Sequence, residues 1–419
     1  MKNRNMNIFT AGRLVSLLGT YMYQFAAGLY VLKLTGSGVQ FALTLIMGTL
    51  PRVIAAPFAG VLADRWDRKK IIVTSDIISG LTLLLTVFMV GSGSVSVALI
   101  YVSTIILTTC NTFFDVSIEA AKPSLVELDQ LERLNSISYG IHALTSIAGP
   151  ILGGVVYALI SFKLFIVLNG LSFIFSGITE MYLKFDDSMK LESVDDDFKT
   201  ALLGGVAYLK ENRFAVALMS FSVSINFCLT LSITVPIPYL FNTILDMSSR
   251  WVGLVSAGFP VGYLIGTVLI NFRRVENRGL VFIRGVWIIW FSMAIMATLL
   301  ILFKGLDDTL LASLFAVMLA VIGGAIAYID IPLMTFLQTA IQNDVRGRVF
   351  SIMTMVSRLA MPFAMLLAGQ FINLYHPMYL LVTGAVLYLI VILTVVRTVY
   401  FQEYIKTNHI KVKAIPVEL

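Results

Sequence analysis

Twelve apolar runs, separated by short polar or glycine-rich breaks, constrain what this chain can fold into more than any other feature. They lie at roughly 9–32, 40–63, 70–90, 95–118, 134–159, 163–183, 213–238, 250–271, 280–301, 309–335, 350–373 and 377–400. A helix rises about 1.5 Å per residue, so about 20 apolar residues cross the hydrocarbon core of a bilayer. The chain is 58% hydrophobic and only 13% charged, about half the charged share of an ordinary soluble domain. A soluble core cannot hide that much apolar surface, so the expected fold is an all-α membrane protein with 12 transmembrane helices. The breaks TGSG at 35–38, RWDRKK at 65–70, GSGS at 91–94, FRRVENR at 272–278, GLDD at 305–308 and NDVRGR at 343–348 read as turns and interface segments. The opening MKNRNMN and its apolar run lack a small-residue cleavage site and read as the first spanning helix.

Basic residues orient the helices. With both termini placed inside, 22 of the 30 Lys and Arg fall in cytoplasmic connections and tails. Lys33, Lys163, Arg250 and Lys304 fall outside, and Arg13, Arg52, Arg284 and Arg358 lie within the runs. That bias predicts cytoplasmic N and C termini. It also explains the basic balance as topology and argues against a nucleic-acid partner. Cys110 and Cys228 sit in apolar runs without a CxxC pattern and read as packing residues. No G-x-x-x-x-G-K-[ST] loop is present, and His142, His376 and His409 are scattered, so the sequence predicts no cofactor, no metal centre and no enzyme activity.

The longest cytoplasmic connection carries FDD and ESVDDDFK and divides the runs six and six. The expected organisation is an N-terminal half at 1–185, a linker at 186–212 containing a candidate interfacial helix, a C-terminal half at 213–402 and a tail at 403–419. An echo joins the halves, since Asp115 and Arg133 recur at a spacing of 215 as Asp330 and Arg348. Many secondary transporters build two alternating states from such duplicated, pseudo-symmetric halves.

Charges inside the runs are the candidate functional groups, because an unpartnered charge at mid-membrane costs about 2.5–3.5 kcal/mol on insertion scales. Arg52 follows Pro51 near the middle of the second run and reads as either a cavity or coupling residue or half of a structural ion pair. Asp330 in AYIDIP and Arg358 either pair with each other or leave Asp330 as a protonatable coupling group. Asp76, six residues into its run, is expected to reach the headgroup region, and Arg13 and Arg284 are expected to snorkel. Gln24, Asn111, Asn169 and Asn226 either line a path or hydrogen-bond between helices. In AGPILGG, Gly149, Gly153 and Gly154 permit close helix approach while Pro150 removes a backbone donor, which together predict a bent or pivoting fifth helix.

At GVLADRWDRKK the residues become specific. Gly60, Leu62, Ala63, Asp64, Arg65, Arg68 and Lys69 match the G-x-L-A-D-R-x-G-R-K motif, and the chain resembles the major facilitator superfamily, with Asp67 where that family usually has glycine. The resemblance runs over the whole chain. It is similar to the macrolide-efflux branch and its neighbours, which include siderophore exporters, at LKENRFAVALM, at Gln338 and at NDVRGRVFS. GPILGG is similar to part of the antiporter motif of the family, with Thr145 in place of the leading glycine. The resemblance implies a monomeric, proton-coupled exporter of a hydrophobic or amphipathic drug in the bacterial inner membrane, surrounded by lipid, with a siderophore or metabolite exporter or a nutrient importer as alternatives. It also implies that Asp64 and Arg68 form a conformational latch, with Asp115 or Glu119 as partners.

Overall fold

A computed structural model describes residues 2–91, 93–126, 128–184, 213–272, 278–302, 307–340 and 343–395. The expected linker helix at 186–212 and the tail at 403–419 lie outside the described residues. Within them the chain is helical, and twelve helices are long and apolar enough to span a membrane. They are α1 Asn5–Thr35, α2 Gly38–Ala63, α3 Arg68–Val90, α4 Val97–Leu125, α5 Arg133–Leu159 and α6 Phe162–Glu180. After the linker come α7 Ala215–Ile244, α8 Ser249–Ile270, α9 Gly279–Ile301, α10 Asp308–Met334, α11 Ile352–Leu374 and α12 Pro377–Thr394. Phe88 is 81% exposed and Phe363 67%, an apolar exterior suited to lipid. The protein is therefore a multi-pass membrane protein.

Local chemistry sets the helix ends. The side chains of Ser37, Ser96 and Ser161 accept from the backbone N–H three residues on and start α2, α4 and α6. Asp67 caps α3, its Oδ1 accepting from Lys69 N–H at 2.9 Å and Lys70 N–H at 3.3 Å. Aspartate in the place of the usual glycine thus supplies an N-cap to this turn. Gly36 (φ 60°) and Gly91 (φ 56°) take left-handed conformations in the turns after α1 and α3, where a side chain would be strained.

Two spans are less regular than their apolar runs suggest. α2 breaks between Met47 and Leu50, and it resumes with Pro51 in its first turn, where the missing N–H leaves no bond unmade. α7 widens into π-helical turns at Thr230–Thr234 and Leu240–Ile244, on either side of Pro236–Tyr239. Pro236 and Pro238 lack donors, so the regular ladder cannot run through them.

The contacts divide the chain into two compact units. One holds Met1–Val194 with Pro238–Ala257, and the other holds Asp195–Ile237 with Gly258–Leu419. In the first unit, Tyr23, Val31, Leu83, Leu107, Phe162 and Phe173 lie in one buried apolar cluster, and Phe9, Ile72, Phe114 and Leu134 in a second. α3 and α6 approach closely at Gly80, where an added Cβ would lie 2.6 Å from the Gly170 carbonyl oxygen. In the second unit, Phe221 and Phe282 pack with ring centroids 5.1 Å apart, and Trp290 donates its indole N–H to Ala385 O at 3.2 Å.

Candidate functional site

The turn after α2 positions Arg68 by hydrogen bonds to two helix ends. Its Nε donates to Ala63 O at 2.9 Å and its Nη1 to Ala120 O at 3.0 Å. Ala63 closes α2, where the last carbonyls lack intrahelical donors and the helix dipole favours a cation, and Ala120 lies five residues before the end of α4. One planar guanidinium thereby fastens the ends of α2 and α4. Asp64, its sequence-predicted companion, has its side chain outside the described residues. Arg65 is exposed and Lys69 half-buried on the same turn. A Cβ added at Gly60 would meet nothing within 4 Å, so no close approach in this arrangement requires a glycine there.

The expected carboxylate partners of Arg68 are engaged elsewhere. Asp115 Oδ1 accepts from Arg13 Nη1 at 2.6 Å, and Arg13 also lies over the Phe114 ring, 5.3 Å from its centroid. Arg13 is 6% exposed, which corrects the expectation that it snorkels: α4 supplies a partner that holds the guanidinium inside the bundle. Glu119 pairs with Lys122 one turn along the same helix at 2.6 Å. Lys122 Nζ in turn lies 5.8 Å from the centroid of the Tyr139 ring.

Tyr21 and His142 join α1 to α5, with Tyr21 Oη and His142 Nε2 3.2 Å apart. His142 lies in the fields of Arg13, Asp115, Arg52 and Glu119, so these side chains form one polar neighbourhood of the first unit. Arg52 is half-buried there, and its Nε is buried without a hydrogen-bond acceptor among the described residues. Gln24 is half-buried, its Nε2 facing Gly48 of the α2 break.

The glycines of AGPILGG lie at crowded crossings. A Cβ at Gly149 would overlap Tyr21 of α1, and one at Gly153 would lie 3.1 Å from Met22 O. A Cβ at Gly154 would overlap Ser249 O, while one at Gly253 would lie 2.5 Å from Pro150 O. Small residues therefore let α5 pack against α1 and against the opening turns of α8, which belong to the same unit.

In the second unit the predicted charges stand apart. Asp330 is half-buried in α10 and interacts electrostatically with Tyr263 of α8. Arg358 is exposed on α11, and the two do not form an ion pair with each other. Asn226 is half-buried and donates to Ser222 O of its own helix at 2.8 Å.

Among the described residues, the most deeply buried acidic groups are Asp76, expected from the sequence at the headgroups, and Glu180, which sequence reasoning passed over. Asp76 is 0% exposed and accepts from Ser16 Oγ at 3.1 Å, so it does not reach the headgroups. Glu180, at the end of α6, is 2% exposed. Its presence inside the sixth apolar run was the available signal, since an ionisable residue in a span marks function or pairing.

Three comparisons set this geometry among known proteins. The family described as Major Facilitator Superfamily matches residues 9–365. The chain is 25% identical over 370 residues to macrolide efflux protein A of Streptococcus pyogenes, covering 86% of this chain and 87% of that protein. It is 24% identical over 339 residues to macrolide efflux protein A of Enterococcus faecalis, covering 79% and 100%. Among solved structures, a bacterial homologue of the iron transporter ferroportin superposes with a TM-score of 0.71 at 18% identity, over 97% of this chain and 100% of that one. The last likeness is one of fold.

Proposed function

Because the chain belongs to the major facilitator superfamily and is therefore a secondary transporter, we propose that it exports a hydrophobic or amphipathic drug, of which a macrolide is the leading example, in exchange for protons. The observation that carries this reading is the similarity to macrolide efflux protein A along 86% of the chain. The protein would work as a monomer in the bacterial inner membrane, with both termini in the cytoplasm and the halves 1–185 and 213–402 rocking about a shared path.

Alternating access needs two packings of similar free energy and contacts that exist in only one of them. The guanidinium of Arg68, hydrogen-bonded to the ends of α2 and α4, is suited to be such a contact, with Asp64, Arg65 and Lys69 completing the latch and Gly60 leaving room for it to rearrange. Gly149, Pro150, Gly153 and Gly154 would supply the close-packing surface on which α5 shifts. Arg52, Asp115, Glu119 and Gln24 in the first half, and Asp330, Arg358 and Asn226 in the second, are the candidate cavity and coupling groups. Arg52 supports this reading most directly, because its buried, unsatisfied Nε leaves it a hydrogen bond to offer a solute or a moving partner.

The test is drug accumulation in everted vesicles from cells that express the chain, across macrolides, dyes and siderophores, with and without a collapsed proton gradient. Gradient-dependent uptake of a macrolide is expected. Uptake that survives collapse of the gradient removes proton coupling, and uptake of siderophores alone replaces the drug as cargo.

A further inference from the structure

Asp76 and Glu180 have no part in the path just described, yet they are the most deeply buried acidic side chains among the described residues. Four helices enclose them. α1 contributes Arg13 and Ser16, α4 contributes Asp115, and α6 contributes Ser176. Ser16 Oγ donates to Asp76 Oδ1 at 3.1 Å. Ser176 Oγ lies 3.4 Å from Glu180 Oε1, interacts with Asp76 as well, and donates to Gly12 O at 3.2 Å. A Cβ added at Gly12 would press on Glu180 Oε1 at 3.2 Å, so α1 closes directly over the pair. The two carboxyl groups lie within range of one another's field. The other titratable neighbours are Cys110 of α4, which lies in the field of Asp76, and His142 of α5, which faces Arg13 and Asp115.

The second oxygens carry the argument. Asp76 Oδ2 and Glu180 Oε2 are both buried and accept no hydrogen bond among the described residues. The nearby cation does not serve them, because Arg13 directs Nη1 to Asp115 and leaves its Nε without an acceptor. With every group ionised, three carboxylates would face a single guanidinium. Neighbouring buried carboxylates of like charge do not both stay ionised, and an unpaired buried ion costs several kcal/mol. A bound proton resolves both problems, since it removes a charge and turns one orphaned oxygen into a donor.

We propose that Asp76 and Glu180 form a proton-binding pair, with Arg13 as its switch. A proton from solvent binds one carboxylate oxygen, and no other bond is made or broken. While the pair holds the proton, Arg13 stays on Asp115 and ties α1 to α4, as in this structure. When the proton leaves, the pair becomes the stronger anion and draws the guanidinium toward α3 and α6. Protonation thereby decides which neighbours α1 holds. The proposal deepens the proton coupling proposed above and rests on it for the use of the proton, whereas proton binding is measurable without any substrate.

The experiment uses the full chain in lipid nanodiscs, with the carboxyl C=O stretch followed by infrared difference spectroscopy during a pH titration. Wild type is expected to show a protonated carboxyl signal that the Asp76→Asn, Glu180→Gln double variant lacks and that Asp330→Asn does not remove. Both replacements are neutral and nearly isosteric; Glu180→Gln alone serves if the double variant is not monodisperse. The same signal in wild type and double variant overturns the proposal. So does its loss at constant pH when sodium chloride replaces choline chloride, which makes the site one for a metal cation. In everted vesicles, the double variant is expected to accumulate drug only to the level wild type reaches with its gradient collapsed. Wild-type accumulation by the double variant overturns the coupling role. Gradient-independent transport by wild type, with the infrared result intact, overturns the antiport reading and spares the proton site.

Discussion

The two units bury polar chemistry of different kinds. The first encloses Arg13, Asp76, Lys122 and Glu180 together with Asn111 and Asn169, whereas the buried polar side chains described in the second carry hydroxyls, those of Thr230, Ser232, Ser292, Ser357 and Tyr388 among them. Ser232 and Ser292 donate to carbonyls one turn back in their own helices, Cys228 O and Ile288 O. Such hydroxyls ask nothing of neighbouring helices. Arg13 and Asp115, by contrast, are satisfied only while α1 and α4 keep their places. Both units also use close approach; in the second it stands without buried charge, with Gly258, Gly262 and Gly266 of α8 set against Ala316, Ala320 and Gly324 of α10. Charge can reorganise the first kind of packing, and only a change of shape disturbs the second.

Substitutions can break this contrast. The largest effect is expected from Arg13→Ala, which leaves Asp115 without its cation; because that carboxylate keeps 30% exposure, the cost should be about 3 kcal/mol, the lower end for breaking a buried pair. Denaturant unfolding in detergent measures it, and a loss no greater than that of Ser292→Ala would erase the distinction between the units. Gly262→Val drives a branched side chain into the Ala320 carbonyl, where overpacking costs about 1–3 kcal/mol. The same measurement should show this penalty unrelieved by changes of pH or salt.

Arg68→Lys keeps the charge but cannot reproduce the fork that reaches both Ala63 O and Ala120 O. A loss of about 1.5–3 kcal/mol is expected for hydrogen bonds made by a charged group, with altered accessibility of cysteines placed at the ends of α2 and α4. Asp67→Ala removes the cap of α3 and should cost about 1 kcal/mol, while Asp67→Gly should cost only a few tenths. A gain in stability is expected at Gly60→Ala, where the added methyl meets open space and helix propensity favours alanine by about 0.5–1 kcal/mol. If that stable variant fails to transport, the glycine is required in a second arrangement of the helices.

Much of the fold was legible because the bilayer makes hydrophobic length decisive. Each of the twelve apolar runs overlaps one spanning helix, and the serine and aspartate caps fall where the breaks were read. The interruption of α2 near Pro51 and the π-helical turns of α7 around Pro236 and Pro238 were less apparent, because hydropathy is insensitive to which backbone donors are missing. The site was legible by residue type and less so by partner. Arg68 stood out in its motif, yet its acceptors are backbone carbonyls, which leave no trace in a pattern of side chains. Arg13 and Asp76 lie near the ends of their apolar runs, where distance along one helix suggests contact with water.

The amino-acid sequence by itself determined the number of spans, their separating turns and the superfamily, since these follow from apolar length, breaker residues and a local motif. Only the tertiary structure decided that Arg13 holds Asp115, that Arg68 caps two helices, and that Asp76 and Glu180 share one enclosure. These partners are separated by as many as about a hundred positions along the chain, and whether a charge meets water, lipid or another charge depends on the helices packed around it.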